Sequence, residues 1–146
     1  MPKGWLSLST SLAVKEYIEE KGEAWPGEIA QNLQEIFAAE DYSSLPDQES
    51  ISRILECCKK LDLVKTTKEE RGKRTRGIER KFYQLKEPED PEFYREPPAD
   101  VEIHKAWRNP CKAYYRPSEF DWERPLSPAP ETLKAHIEKM IEERWG

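Results

Sequence analysis

Residues 47–85 constrain the fold of this 146-residue chain more than any other segment, because a helical periodicity is followed there without a break by strand-like runs. The first part has apolar residues at helical spacing: Ile51, Ile54, Leu55, Cys58 and Leu61. The second part has two β-prone runs, at 63–68 and 78–85, separated by nine residues that include two glycines. The segment therefore predicts an amphipathic helix that leads directly into a long-tipped β-hairpin.

Two further helices are predicted before this segment. The first should begin at Thr10 or Ser11, whose hydroxyls can cap free amides, and end before Gly22, which favours a stop. The second should begin at Pro26, because the first turn of a helix does not need the missing N–H. Its core face is predicted from helical spacing: Ile29, Leu33, Ile36 and Phe37. Pro46 is expected to open the third helix in the same way.

Charge is unevenly distributed along the chain. The whole chain has a formal net charge of −5, but residues 48–86 carry 12 Lys and Arg against 6 Asp and Glu, and the segments on both sides are acidic. A basic excess confined to one segment of an acidic protein is typical of a nucleic-acid-binding face. The sequence thus predicts that the third helix and the hairpin contact DNA.

The candidate DNA contacts come from the polar side of that helix and from the hairpin tip. They are Gln48, Ser52, Arg53, Lys60, Arg71, Lys73, Arg74 and Arg76. Gln can pair with adenine and Arg with guanine in the major groove, and the free amides of a helix N-terminus suit a phosphate. Glu49 and Glu56 lie on the same side, where they either accept a hydrogen bond from cytosine or repel the DNA backbone.

Three segments, AWPGEIAQNL, SISRILECCKKLDLV and RKFYQL, resemble parts of winged helix-turn-helix repressors such as the MarR and PadR families. They match the second helix, the recognition helix with the first wing strand, and the second wing strand, over residues 10–87. The resemblance implies double-stranded DNA binding, with the third helix in the major groove and residues 23–25 as a small strand beside the wing. The sequence departs from these families in its longer linker EDYSSLPDQ and in having no long helix directly after the wing, so their dimer geometry does not transfer.

After residue 87 the composition changes. Residues 88–146 hold 9 of the 12 prolines and 8 of the 15 aromatic residues. Such an aromatic-rich segment is expected to dock, either on its own domain, on a second subunit or on another protein. The last part is predicted to be a helix whose apolar stripe either packs on the same domain or forms a homodimer contact: Leu133, Ile137, Met140, Ile141 and Trp145.

These patterns predict an α+β, mainly α fold: a winged helix at 1–87, a Pro- and aromatic-rich arm at 88–129 and a terminal helix at 130–146. With two distant histidines, three cysteines without a CxxC spacing and no phosphate-binding loop, the chain is predicted to be no enzyme and to use no cofactor or metal. It lacks a signal peptide and an apolar run of about 20 residues, so a cytoplasmic location without membrane contact is expected.

The leading functional prediction is a sequence-specific DNA-binding protein that regulates transcription, as a homodimer. The alternative is a winged-helix adaptor in a replication, transcription or segregation complex, in which the aromatic arm binds a protein partner.

Overall fold

The computed structural model describes residues 10–39, 45–71, 79–86, 103–124, 126 and 131–145. Within these ranges the chain is mainly helical with one small antiparallel sheet, in agreement with the predicted α+β class. The elements are α1 (Thr10–Lys21), α2 (Pro26–Ala39), α3 (Gln48–Lys60), β1 (Val64–Arg71), β2 (Glu79–Leu85), α4 (Pro110–Tyr115) and α5 (Glu131–Trp145), with 3₁₀ turns at Ile103–Arg108 and Pro117–Glu119. None of these helices is both long and apolar enough to cross a membrane.

The ends of the first three helices follow from local chemistry. Helix α1 ends before Gly22, as predicted; the φ of Gly22 is +103°, a backbone conformation that glycine adopts without strain. Pro26 is the first residue of α2, also as predicted. The expectation that Pro46 opens α3 is wrong. The carboxylate of Asp47 accepts a hydrogen bond from the backbone N–H of Ser50 at 2.7 Å, so Asp47 is the N-cap and α3 begins at Gln48, two residues after Pro46.

The hairpin is longer than the sequence predicts. The β-prone run ends at Lys68, but β1 pairs with β2 as far as Arg71, which lies opposite Glu79. The register also puts Glu69 opposite Lys81, so the two strands remain paired beyond the β-prone run. The backbones of Ala24 and Tyr83 exchange two hydrogen bonds, of 3.1 and 2.8 Å, so the predicted short third strand is present as a single bridge.

One hydrophobic core unites all parts of the described chain. The predicted stripes of α2 and α3 are buried or, at Ile54, partly buried in it, and Val14, Tyr17 and Ile18 of α1 are buried in it too. The described part of the arm contributes six buried side chains: Ala106, Trp107, Pro110, Ala113, Phe120 and Trp122. The Ser11 hydroxyl fixes the arm further by donating a 2.5 Å hydrogen bond to the Trp107 carbonyl. Of the three docking partners left open by the sequence, residues 103–124 therefore dock on their own chain.

The apolar stripe of α5 also packs on the same chain, against α1 and α2. Leu133 and Ile137 have no exposed surface, and Met140 and Ile141 are partly buried against the core. Leu133 and Ile137 are therefore not available to a second copy in this conformation, which corrects their assignment to a dimer contact. Only Trp145 of the stripe is largely exposed, at 49%. The homodimer itself stays a prediction.

Candidate nucleic-acid interface

The side of α3 that faces away from the core forms an exposed polar ridge. We call this surface the α3 ridge; its residues are Gln48, Glu49, Arg53 and Glu56, which are exposed, and Ser52 and Lys60, which are partly buried. It is exposed because Ile51, Leu55 and Cys58 direct the opposite side of the helix into the core. At the centre of the ridge, the Arg53 guanidinium lies 3.7 Å from the Glu49 carboxylate, and these side chains are 67% and 84% exposed. An exposed pair of this kind contributes about 0–1 kcal/mol, so Arg53 is easily released to another anion.

One flank of the ridge borders a groove toward β2. The groove has a volume of about 270 Å³ and is lined by Trp25, Pro26, Gln48, Ser52, Glu56, Lys81 and Tyr83. The Tyr83 hydroxyl donates to the Glu56 carboxylate at 2.8 Å, which joins β2 to α3. Gln48 and Ser52, two of the predicted contacts, therefore line the same groove. Lys81 and Trp25 are absent from the sequence prediction, because only folding brings them beside α3.

The other flank of the ridge is covered by the arm, since α4 packs against α3. The Lys60 ammonium lies 5.2 and 5.8 Å from the ring centroids of Tyr114 and Tyr115, within cation–π range. The same tyrosines, Tyr115 first, raise the pKa of Lys60. Lys60 is therefore charged and turned toward the arm, away from the groove that holds Gln48 and Ser52.

The N-terminus of α3 is less suited to a phosphate than the sequence suggests. The backbone and side-chain hydrogen bonds from Ser50 lower the pKa of Asp47, so this carboxylate is ionised and already occupies a free amide of the first turn. Glu49, also exposed, adds a second carboxylate in that turn. A phosphate approaching this end would meet negative charge, which offsets the favourable helix dipole.

The other four predicted contacts are Arg71 and three residues that follow it in sequence. Arg71 is the last residue of β1, and the structure describes its backbone only. Lys73, Arg74 and Arg76 lie outside the described residues, so their roles stay predictions. Among the described residues, no group of three or more His, Cys, Asp and Glu side chains is arranged to hold a metal ion.

A buried polar network, which the sequence does not predict, links α1, α2 and α5. The Tyr17 hydroxyl donates to Glu28 at 2.8 Å and accepts from the Asn32 amide at 2.7 Å. Burial, then the bond to Glu28, raises the pKa of Tyr17, so it stays a neutral phenol. Arg144 of α5 donates to Asn32 and, at 2.7 Å, to Glu35. This network fixes the end of α5 over α2.

An open cleft of about 590 Å³ lies next to this network. It is lined by Lys21, Glu23, Trp25, Glu28, Gln31, Asn32, Phe82, Arg144 and Trp145. Its charged groups already have partners within the chain: Lys21 contacts Glu28 and lies 4.0 Å from the Trp145 ring centroid, and Glu23 accepts from Thr67 at 2.7 Å. The cleft therefore offers a binding partner little uncompensated charge.

Comparison of the chain with protein-family models, with curated proteins and with solved structures finds no match. A function for this chain therefore has to be inferred from the α3 ridge, the groove beside it and the charge of the hairpin.

Proposed function

We propose that this chain is a winged-helix protein that binds double-stranded DNA through the α3 ridge and the hairpin tip, and that it regulates transcription by doing so. The observation that carries the proposal is the exposed ridge, with Arg53 at its centre, lying beside a hairpin whose tip sequence GKRTRGI contains three cations. An exposed helix supplies side chains to the major groove, and a cationic hairpin tip supplies contacts to phosphates.

The topology supports this proposal. Three helices precede the hairpin, and the bridge between Ala24 and Tyr83 adds a third strand position to β1 and β2. This is the order of elements in a winged helix, as the resemblance to the MarR and PadR families implies. The proposal also accounts for the basic excess of residues 48–86 in an acidic chain, because DNA binding requires positive charge only on the contacting face.

The charges at the two ends of α3 sharpen the proposed mode of contact. Asp47 and Glu49 make the first turn acidic, and Lys60 near the last turn faces the arm. Base contacts should therefore come from the middle of α3, chiefly Arg53 with Ser52, and phosphate contacts from the hairpin tip. Gln48, which lines the groove, is a further candidate for a base contact.

The proposal is tested first with a mobility-shift assay of the full chain on random duplex at low salt, followed by selection of a preferred site. Arg53→Ala should cost about 1–3 kcal/mol on the preferred site and relax the preference at one position, because the side chain that reads a base is removed. Arg124→Ala, which removes an exposed arginine of the arm, is the matched control and should bind normally. Absence of any shift at low salt would contradict the proposal.

The wing is tested separately. Replacing both Arg74 and Arg76 by Glu should weaken binding to all sequences equally, because phosphate contacts carry little sequence information. The slope of log affinity against log salt should flatten by about 0.9 for each phosphate that the variant no longer neutralises. Unchanged binding by a folded double variant would remove the wing from the interface.

The adaptor alternative receives less support from the described arm. Trp107, Phe120 and Trp122 are buried against the same chain, which leaves Tyr115 as the exposed large aromatic of residues 103–124. A full-length chain that binds no duplex but captures a protein through Tyr115 would favour the adaptor.

A further inference from the structure

Two cysteines that are 54 positions apart in sequence meet where α4 packs on α3. The Sγ atoms of Cys57 and Cys111 lie 3.0 Å apart, and Cys111 Sγ is 3.9 Å from the Arg53 carbonyl oxygen. A disulfide requires a separation of about 2.05 Å, so a small movement of the two side chains is sufficient to form the bond. Both thiols are free in this structure.

The two thiols differ in their access to solvent. Cys57 is 2% exposed, and burial, followed by the contact with Cys111, raises its pKa to about 12. Cys111 is only partly buried. A soluble oxidant therefore reaches Cys111 first, since thiol oxidation follows exposure and thiolate character.

The third cysteine is not placed to compete. Cys58 follows Cys57 on α3, where successive side chains point about 100° apart. Its side chain is fully buried in the hydrophobic core. Oxidation within the folded chain should therefore be confined to one pair.

We propose that Cys57 and Cys111 form a peroxide-sensitive thiol pair whose disulfide locks the arm onto α3. The Cys111 thiolate attacks one oxygen of hydrogen peroxide, which breaks the O–O bond, releases hydroxide and leaves a sulfenic acid on Cys111. The Cys57 sulfur then attacks the Cys111 sulfur, forms the S–S bond and releases water once the proton of Cys57 is transferred. The two thiols lose two electrons and the peroxide gains them; a dithiol reductant reverses the bond by exchange.

The bond would change the freedom of the arm. In the reduced protein, α4 is held on α3 by packing and by contacts such as that of Lys60 with Tyr114, which are reversible. In the oxidised protein, a covalent link closes the chain between residues 57 and 111, and α4 cannot leave the α3 ridge. This inference does not rest on DNA binding, because it concerns the thiols and the docking of the arm alone.

In the test, the folded full chain is treated with hydrogen peroxide, and a second sample is treated with a dithiol as the reduced reference. The remaining thiols are then blocked, and the intact mass and the peptide map of each sample are measured. The expected result is the loss of two hydrogen atoms, a peptide that joins Cys57 to Cys111, and a midpoint of thermal unfolding raised by about 10 °C. Cys111→Ala should abolish the change, and Cys58→Ala should retain it.

Two outcomes would overturn the proposal: no intramolecular disulfide under peroxide, or a bond that joins two chains or includes Cys58. If Cys58→Ala fails to fold, the peptide map of the peroxide-treated wild-type chain is sufficient, because it identifies the bonded pair of cysteines directly. The duplex-binding assay has no part in this test, so failure of the proposed function is distinguishable from failure of this inference.

Discussion

Replacing Glu16 by Gln should make the protein more stable above neutral pH. Glu16 lies on α1 and is 6% exposed, and its Oε2 atom has no hydrogen-bond partner among the described residues. Burial, followed by the negative charge of Glu19, raises its pKa from 4.5 to about 7. Glu20 acts in the same direction, and Lys134 of α5 opposes it. The folded protein therefore holds this carboxyl in an environment that disfavours its charged form.

The size of the effect follows from the shift in pKa. Each unit corresponds to about 1.36 kcal/mol, so the shift amounts to about 3 kcal/mol. Below pH 4.5 the carboxyl is protonated in both states and there is no penalty. As the pH rises, the unfolded chain ionises first, and the free energy of unfolding falls until the folded carboxyl also ionises, at about pH 7. Stability is thus lost across this window and the loss is complete above it.

Urea unfolding of the wild type and of Glu16→Gln, near pH 4 and near pH 8, isolates this contribution. The cost of burying the amide is the same at both values, so only the change with pH is informative. The variant should gain about 3 kcal/mol relative to the wild type between the two conditions. Glu138→Gln, an exposed change on α5, should show no such gain. Parallel pH profiles for Glu16→Gln and the wild type would mean that ionisation of Glu16 does not destabilise the folded protein.

Two further substitutions test the packing of α5 and the cap of α3. Leu133→Ala should lower the free energy of unfolding by about 2–5 kcal/mol, because it leaves a cavity under α5. Urea denaturation measures this change, and a decrease below about 1 kcal/mol would mean that α5 is not part of the core. Asp47→Ala should cost about 1 kcal/mol through removal of the N-cap, while Asp47→Asn retains stability. Equal destabilisation by both changes at Asp47 would argue against the cap.

Much of the fold is predictable because its signals are local. Gly22 and Pro26 mark a helix end and a helix start by their own backbone preferences, and the stripes of α2 and α3 reveal the buried sides of these helices. The hairpin follows from β-prone residues around a glycine-containing tip. Of the site, the polar side of α3 is visible for the same reason, because Ile51 and Leu55 fix the opposite side as core.

The rest depends on which distant segments meet, and the periodicity of one helix does not contain that information. The stripe of α5 is equally compatible with a second copy and with α1, and only the structure shows Leu133 and Ile137 in the chain's own core. The approach of Cys57 to Cys111 depends on how a proline-rich arm folds back. Lys81 of the groove escapes prediction for the same reason, since its neighbours come from three separate segments.

The single bridge between Ala24 and Tyr83 fixes the hairpin at one point of β2. Tyr83 is buried and also bonded to Glu56, so β2 is fixed there to both the α1–α2 connection and α3. The strand continues four residues further to Glu79, a span of about 13 Å. A rotation of the hairpin by about 10° about Tyr83 would displace the backbone of Glu79 by about 2 Å. Because Glu56 belongs to the α3 ridge, any such rotation is transmitted to α3 through the bond between Tyr83 and Glu56.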